Sequence, residues 1–317
     1  MTLWITLPSS VIPEPSLAPD GQEADPWYQR ICCAFEQDSS PPQDTLCVPR
    51  ARATDAEDLA ARAVKQVLSI EGNDRLKVNL LVVCRSSAAI GGSAPTYRLS
   101  AKAGLRNALP FSLAGQAGAE VAQALTFVRH MSWEANGVVV ISAVQRVVPP
   151  DARVRTNGFP FADAAAAIVV ARSRGALAKA FRVLSVVSGQ SVASRGDSAE
   201  TVLSRAVEVA GVARPSIKWA IAHRCSAEFE SAVRRTLPDA LWLSRDLYPS
   251  NDFGCADSLI ALQRVFTSAS EPPCGLGALW FAGRFGAVAV VLLDSTSVAL
   301  WKRQVSLDPQ TQGDSER

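Results

Sequence analysis

The 317-residue sequence predicts an α/β protein whose sheets are buried on both faces. Two observations carry that reading. Continuous apolar runs such as "KVNLLVVC" (77–84), "GVVVISA" (137–143) and "FGAVAVVLL" (285–293) suit strands covered from both sides. Segments with helical periodicity separate them, and the rhythm of helix and strand starts again after residue 189.

In chain order, a strand is expected at Leu3–Leu7. A loop-like stretch rich in Pro, Asp, Ser and Gln follows to Pro49, with one helix near Trp27–Phe35. The helix at Ala56–Ser69 places Leu59, Ala63, Val67 and Leu68 on one face. After the 77–84 strand come a helix at Tyr97–Asn107, a strand at Leu109–Leu113 and a helix at Gly118–Met131. Strands at 137–143 and 164–173 complete the first round, and "FRVLSVVSG" (181–189) opens the second. That round has a helix at Ala199–Val212, a strand at Ile217–His223, a helix at Ser226–Leu237 and a short strand at Ala240–Ser244. A helix at Cys255–Phe266 and a hairpin of 276–282 with 285–293 follow, with "VALWKR" (298–303) a further candidate strand. The natural division is 1–175 and 176–317.

Composition excludes several classes of function. A net charge of +2 with scattered basic residues gives no footprint for nucleic acid. No apolar segment reaches the roughly 18 residues that span a bilayer, and the N-terminus lacks the pattern of a secretion signal. A soluble, cytoplasmic protein is expected. Seven cysteines in spacings that suit neither a zinc site nor a disulfide framework read as buried free thiols, so no metal is expected. No phosphate-binding glycine loop is present, because "GLGALW" (275–280) matches neither nucleotide pattern.

The stretch "PFSLAGQAGAEVAQALTF" (110–127) carries the chemical question. A strand runs into a turn of small residues at 114–119 and then into a helix, the setting in which a helix N-terminus stabilises a reactive anion. Yet this turn contains no Cys, Ser, Thr or His.

The order of elements and several short blocks resemble the thiolase-fold condensing enzymes, specifically the β-ketoacyl-ACP synthase III group. "AGLRNALPFSLAGQAGAEVAQAL" (103–125) is similar to the block that holds the family's Cys. "FADAAAAIVVA" (161–171) resembles "FGDGAgAvvl", keeping Phe161 and Asp163. "WAIAHRCSAEF" (219–229) falls where the family has a strand ending in "HQAN", and "YPSNDFGCADSLIAL" (248–262) where it has "GNtSaasiplAL". "LWFAGRFGAVAVVLL" (279–293) resembles its final hairpin. The resemblance implies two similar α/β halves whose central mixed sheets alternate with helices in five layers, α-β-α-β-α.

It also implies a chemistry. A Cys thiolate takes an acyl group from CoA or a phosphopantetheine carrier, and a His and an Asn polarise the thioester while carbon dioxide leaves. Carried over residue by residue, the Cys position falls on Gly118, with Ala117 one residue away; neither is a nucleophile. The His position falls on His223 and the Asn position on Asn251, with Asp252 the alternative. Gln116 raises the decarboxylase reading, because related enzymes replace the Cys by Gln, although here it lies two residues early. Cys225 and Cys255 are candidates for a relocated nucleophile, and Arg224 for contact with CoA or an acyl carrier protein. No permanently bound cofactor is expected, and an acyl thioester is the implied substrate.

Family members dimerise through the strand beside the turn, here Leu109–Leu113, and members without the Cys serve as partners of active subunits. The expectation is a homodimer, or a heterodimer with a Cys-containing ketosynthase, in fatty-acid-like or polyketide-type biosynthesis. The alternative is an acyltransferase in which His223 deprotonates an oxygen or nitrogen acceptor.

Overall fold

The computed structural model describes residues 2–17, 47–49, 56–72, 77–86, 95–114, 118–131, 133, 137–145, 161–177, 179–190, 195–244, 251–269, 271–283 and 287–298. The expected helix near Trp27–Phe35 and most of the 298–303 strand lie outside these residues.

The first half contributes β1 (Leu3–Thr6), β2 (Ser9–Val11), β3 (Pro15–Leu17), β4 (Cys47–Pro49), α1 (Ala56–Glu71), β5 (Val78–Arg85), α2 (Pro95–Ala103), β6 (Leu109–Ala114), α3 (Glu120–His130), β7 (Val138–Gln145) and β8 (Ala164–Ala171). The second contributes β9 (Ala180–Gln190), α4 (Arg195–Ala210), β10 (Ile217–Ile221), α5 (Ala227–Thr236), β11 (Leu241–Leu243), α6 (Asp257–Ser268), β12 (Leu276–Ala282) and β13 (Ala287–Asp294). The segment expected to be a plain loop holds three short strands. β2 pairs with β8 from Ser9 opposite Ala167 to Val11 opposite Ala165, while β3 and β4 pair with each other. Such short Pro- and Ser-bearing strands lack local propensity and owe their form to the neighbour they pair with.

The strand path reads β11-β10-β12-β13-β9-β1-β8-β7-β5-β6. Divided between β9 and β1, it holds one pattern twice. β6 and β7 flank β5 in parallel, β8 runs antiparallel to β7, and β1 runs antiparallel to β8. In the second half β11 and β12 flank β10 in parallel, and β13 and β9 follow antiparallel. The antiparallel β1–β9 ladder joins the two patterns.

Three apolar layers explain why the strands are hydrophobic on both faces. Along β8, Ala164, Ala166, Ile168 and Val170 point into a central core with α3 and α6; Ala165, Ala167, Val169 and Ala171 point into an outer core with α1 and α2. Along β13, Ala289, Val291 and Leu293 face the same central core, while Val288, Val290 and Leu292 face α4 and α5. The period of two thus sends alternate residues to different layers. The result is a five-layer α-β-α-β-α arrangement with α3 and α6 in the middle.

One glycine in β12 is required by packing. A Cβ at Gly277 would lie 2.0 Å from the indole of Trp219. That indole is fully buried and its Nε1 donates to the Ser295 hydroxyl at 3.2 Å, so it has nowhere to retreat. Gly277→Ala is therefore expected to cost about 2–3 kcal/mol by overpacking. A denaturant midpoint unchanged from the parent protein would refute this packing role.

Candidate functional site

The site lies where the N-termini of the two central helices meet the ends of parallel strands. Gly118 and Ala119 lead from β6 into α3. His223 lies two residues beyond β10, Asp252 and Phe253 precede α6, and Ala282 ends β12. They come from different connections; Ala119 and Phe253 pack into the central core and Ala282 into the outer core with α4 and α5.

His223 is fully buried. Its backbone N–H donates to the Trp280 carbonyl at 3.1 Å, which carries the β10–β12 ladder past the end of the strand. The ring Nε2 lies 2.9 Å from Asp252 Oδ1, and Nδ1 lies 3.2 Å from both the nitrogen and the oxygen of Ala282. When the Ala282 N–H donates to Nδ1, Nε2 carries the proton and donates it to the carboxylate. When Nδ1 is protonated as well, the Ala282 carbonyl can accept. Both ring nitrogens are engaged in either state.

The residue opposite the ring is Asp252, the alternative that the sequence left open beside Asn251. Asp252 is fully buried, and its Oδ1 also accepts the Gly254 N–H at 2.6 Å. Its carbonyl accepts the Ala162 N–H at 2.9 Å, and it forms a parallel bridge with Phe161. The "FAD" motif thus fixes the loop that presents the carboxylate. Asn251 is buried next to it in the chain. Asp257, in the first turn of α6, accepts the N–H of Arg224 at 2.9 Å and of Phe253 at 3.3 Å. One buried carboxylate therefore holds the neighbours of both His223 and Asp252.

At the position where the resemblance places a thiol, Gly118 has φ +145°. A Cβ there would come within 2.0 Å of the Ala282 carbonyl oxygen, 2.5 Å of His223 Cε1 and 2.9 Å of His223 Nδ1. The volume that a nucleophile's side chain would need is filled by the imidazole and the end of β12. The Gly118 N–H is also committed, donating to Glu120 Oε2 at 2.8 Å. Glu120 is fully buried in the first turn of α3, where the positive end of the helix favours a carboxylate. The helix N-terminus thus has a carboxylate of the chain itself beside it, bonded to the N–H of the turn. Glu120 was not singled out in the sequence, although an acid directly after the turn was its visible signal.

The other candidates are placed as follows. Cys255 is buried, and its thiol donates to the Cys84 carbonyl at 3.3 Å and the Val144 carbonyl at 3.6 Å. Burial pushes its pKa far up, with the Glu120 carboxylate adding to the effect against hydrogen bonds from Ser86 and to Val144. Burial likewise raises Cys84, helped by Cys255 and Glu120. A thiol held protonated in this way is a poor nucleophile. Cys225 is buried, and Arg224 is half-buried with its guanidinium 3.8 Å from Glu230. Gln116 lies outside the described residues. No group of acidic, His and Cys side chains suited to a metal ion occurs among the described residues.

Gly118→Cys adds a Cβ into occupied space at a positive φ, and an expected loss of about 3 kcal/mol should appear in the thermal or denaturant midpoint. A stable Gly118→Cys protein that forms an acyl thioester would show that the space is open. For the thiols, the native state holds the proton more tightly than the unfolded state, so stability should fall as pH rises above about 8.5, where the unfolded thiols ionise. Among the described cysteines, exposed Cys274 should react with a thiol reagent in the native protein. Labelling of Cys84 or Cys255 before unfolding would contradict their burial.

No protein-family model and no curated protein matches this chain. Solved structures do match over most of its length. ChlB3, described as an acyltransferase, is 16% identical and superposes with a TM-score of 0.75, covering 95% of this chain and 100% of its own. A variant of Xanthomonas campestris OleA is 14% identical with a TM-score of 0.71, covering 93% of this chain and 98% of its own. The 3-oxoacyl-(acyl carrier protein) synthase III, FabH, of Pseudomonas aeruginosa PAO1 is 17% identical with a TM-score of 0.67, covering 93% and 99%. The chain therefore has the thiolase-like fold of the synthase III-type condensing enzymes.

Proposed function

We propose that this protein is a non-catalytic subunit that pairs with a Cys-containing ketosynthase in fatty-acid-like or polyketide-type biosynthesis. The observation that carries this reading is the filled nucleophile position: Gly118 lies against His223 and Ala282, and its N–H belongs to Glu120. An acyl-enzyme on this turn has neither an attacking atom nor room for one.

The sheet edge supports a partner. β6 ends the strand path, its sequence LPFSLA carries no charge, and Leu109 and Phe111 are 61% and 38% exposed. Phe111 stacks on Phe127 of α3 at 4.8 Å between ring centroids, so the edge is backed by the central helix. Monomeric proteins usually guard an edge with charges or cover it. A second thiolase-fold chain adding a strand here would cover both apolar residues.

The second reading is direct acyl transfer from CoA or an acyl-carrier thioester to an oxygen or nitrogen acceptor, with His223 as base. The pairing of His223 with the Asp252 carboxylate favours it, because a carboxylate stabilises the imidazolium that accepting a proton creates. Against it stands the engagement of both ring nitrogens.

Intact mass measurement after mixing with acyl-CoA or acyl-carrier thioesters should leave this chain at its own mass, while a co-expressed Cys-containing synthase becomes acylated. A stable acyl adduct on this chain alone would overturn the non-catalytic reading. Co-purification with a synthase encoded next to it should yield a heterodimer that Phe111→Asp disrupts; a homodimer indifferent to every such synthase would overturn the partner role. Should turnover be detected in the chain alone, His223→Ala must abolish it for the acyltransferase reading to stand.

A further inference from the structure

A cavity of about 250 Å³ lies at the opposite end of the first-half strands from His223. Its walls are Leu80 of β5, Leu109 of β6, Val139 of β7, Val128 near the end of α3, Met131 and Trp133, with Asn79 beside them. From Leu80 to Arg85, where β5 reaches the candidate site, is roughly 17 Å at 3.3 Å per residue. The two places are therefore separate.

The walls are held in position. Arg172, just past β8, donates from Nη2 to the Met131 carbonyl at 2.8 Å and lays its guanidinium over the Trp133 ring, 5.2 Å from the centroid. One side chain thus fixes the end of α3 and the indole together. The same contact answers the negative end of the α3 dipole, so the cavity offers no seat for a cation. The lining side chains include no cation for an anionic ligand either. Leu109 is 61% exposed and forms the mouth, while Val128 and Val139 at the back are almost fully buried.

We infer that this cavity is a binding site for a small, uncharged aromatic molecule of one or two rings. Apolar cavities with few polar partners do not hold water well, and one of about 150 Å³ lined by apolar side chains admits benzene. The space here is larger and has an indole for a wall, which suits ring stacking. A charged ligand would be desolvated without compensation.

Indole is a suitable probe, titrated by calorimetry against the full chain, with indole-3-acetate as its charged counterpart. Saturable 1:1 binding of indole is expected, with the acetate at least ten-fold weaker. Leu109→Trp, at a position 61% exposed, should block the mouth and weaken indole at least ten-fold. Arg172→Ala should free the indole wall and weaken it several-fold. No saturable binding at millimolar indole, equal affinity for the acetate, or full affinity in the folded Leu109→Trp protein would each overturn the inference. The titration uses this chain without its proposed partner, whose added strand would cover Leu109 and the mouth, and no result depends on chemistry at His223.

Discussion

Everything in this fold depends on the burial of α3 and α6 between two half-sheets. A helix covered on all sides has no solvent at its N-terminus, so its first N–H groups and its dipole must be answered by the protein itself. Glu120 and Asp257 place buried carboxylates in the first turns of α3 and α6, at the positive end of each dipole, and they accept from N–H groups of the connections beside them, Gly118 for Glu120 and Phe253 and Arg224 for Asp257. In both cases a fully buried carboxylate also fixes the loop that brings the site residues together.

The same constraint explains the shape of the site. The central helices start at the ends of parallel strands, where several connections converge and a reaction centre is normally built. Here convergence has gone to contact. Without a side chain at 118, the His223 ring and the Ala282 peptide occupy the space directly over the turn. The His223–Asp252 pair is a buried, hydrogen-bonded unit, and burial raises the pKa of Cys255, three residues along the chain from Asp252, and of Cys84, whose carbonyl accepts from the Cys255 thiol. Both ring nitrogens of His223, Asp252 Oδ1 and the Gly118 N–H are thus engaged within the protein.

Much of the architecture was legible along the chain because strands buried on both faces must be apolar throughout. The runs at 77–84, 137–143 and 285–293 fall on β5, β7 and β13 for that reason. The small strands β2, β3 and β4 were not legible, since Pro- and Ser-bearing segments of three residues become strands only when a partner ladder is present. His223 could be singled out as one of two His residues at a strand end. The resemblance left the Asn position between Asn251 and Asp252, and the contact of the Asp252 carboxylate with the imidazole appears only once Phe161 and Ala162 bond to that loop.

The sequence by itself determined the alternation of strand and helix, the two rounds of elements and the absence of a nucleophile from the turn at 114–119, since each is a matter of residue type and spacing along the chain. Only the tertiary structure decided that the vacant position is filled by His223 and Ala282, that Glu120 takes the Gly118 N–H, and that Asp252 is the acid facing the imidazole. The physical reason is range. Periodicity and propensity act over a few residues, whereas those contacts join segments of chain up to 164 residues apart, from Gly118 to Ala282, and exist only once both half-sheets have closed on the central helices.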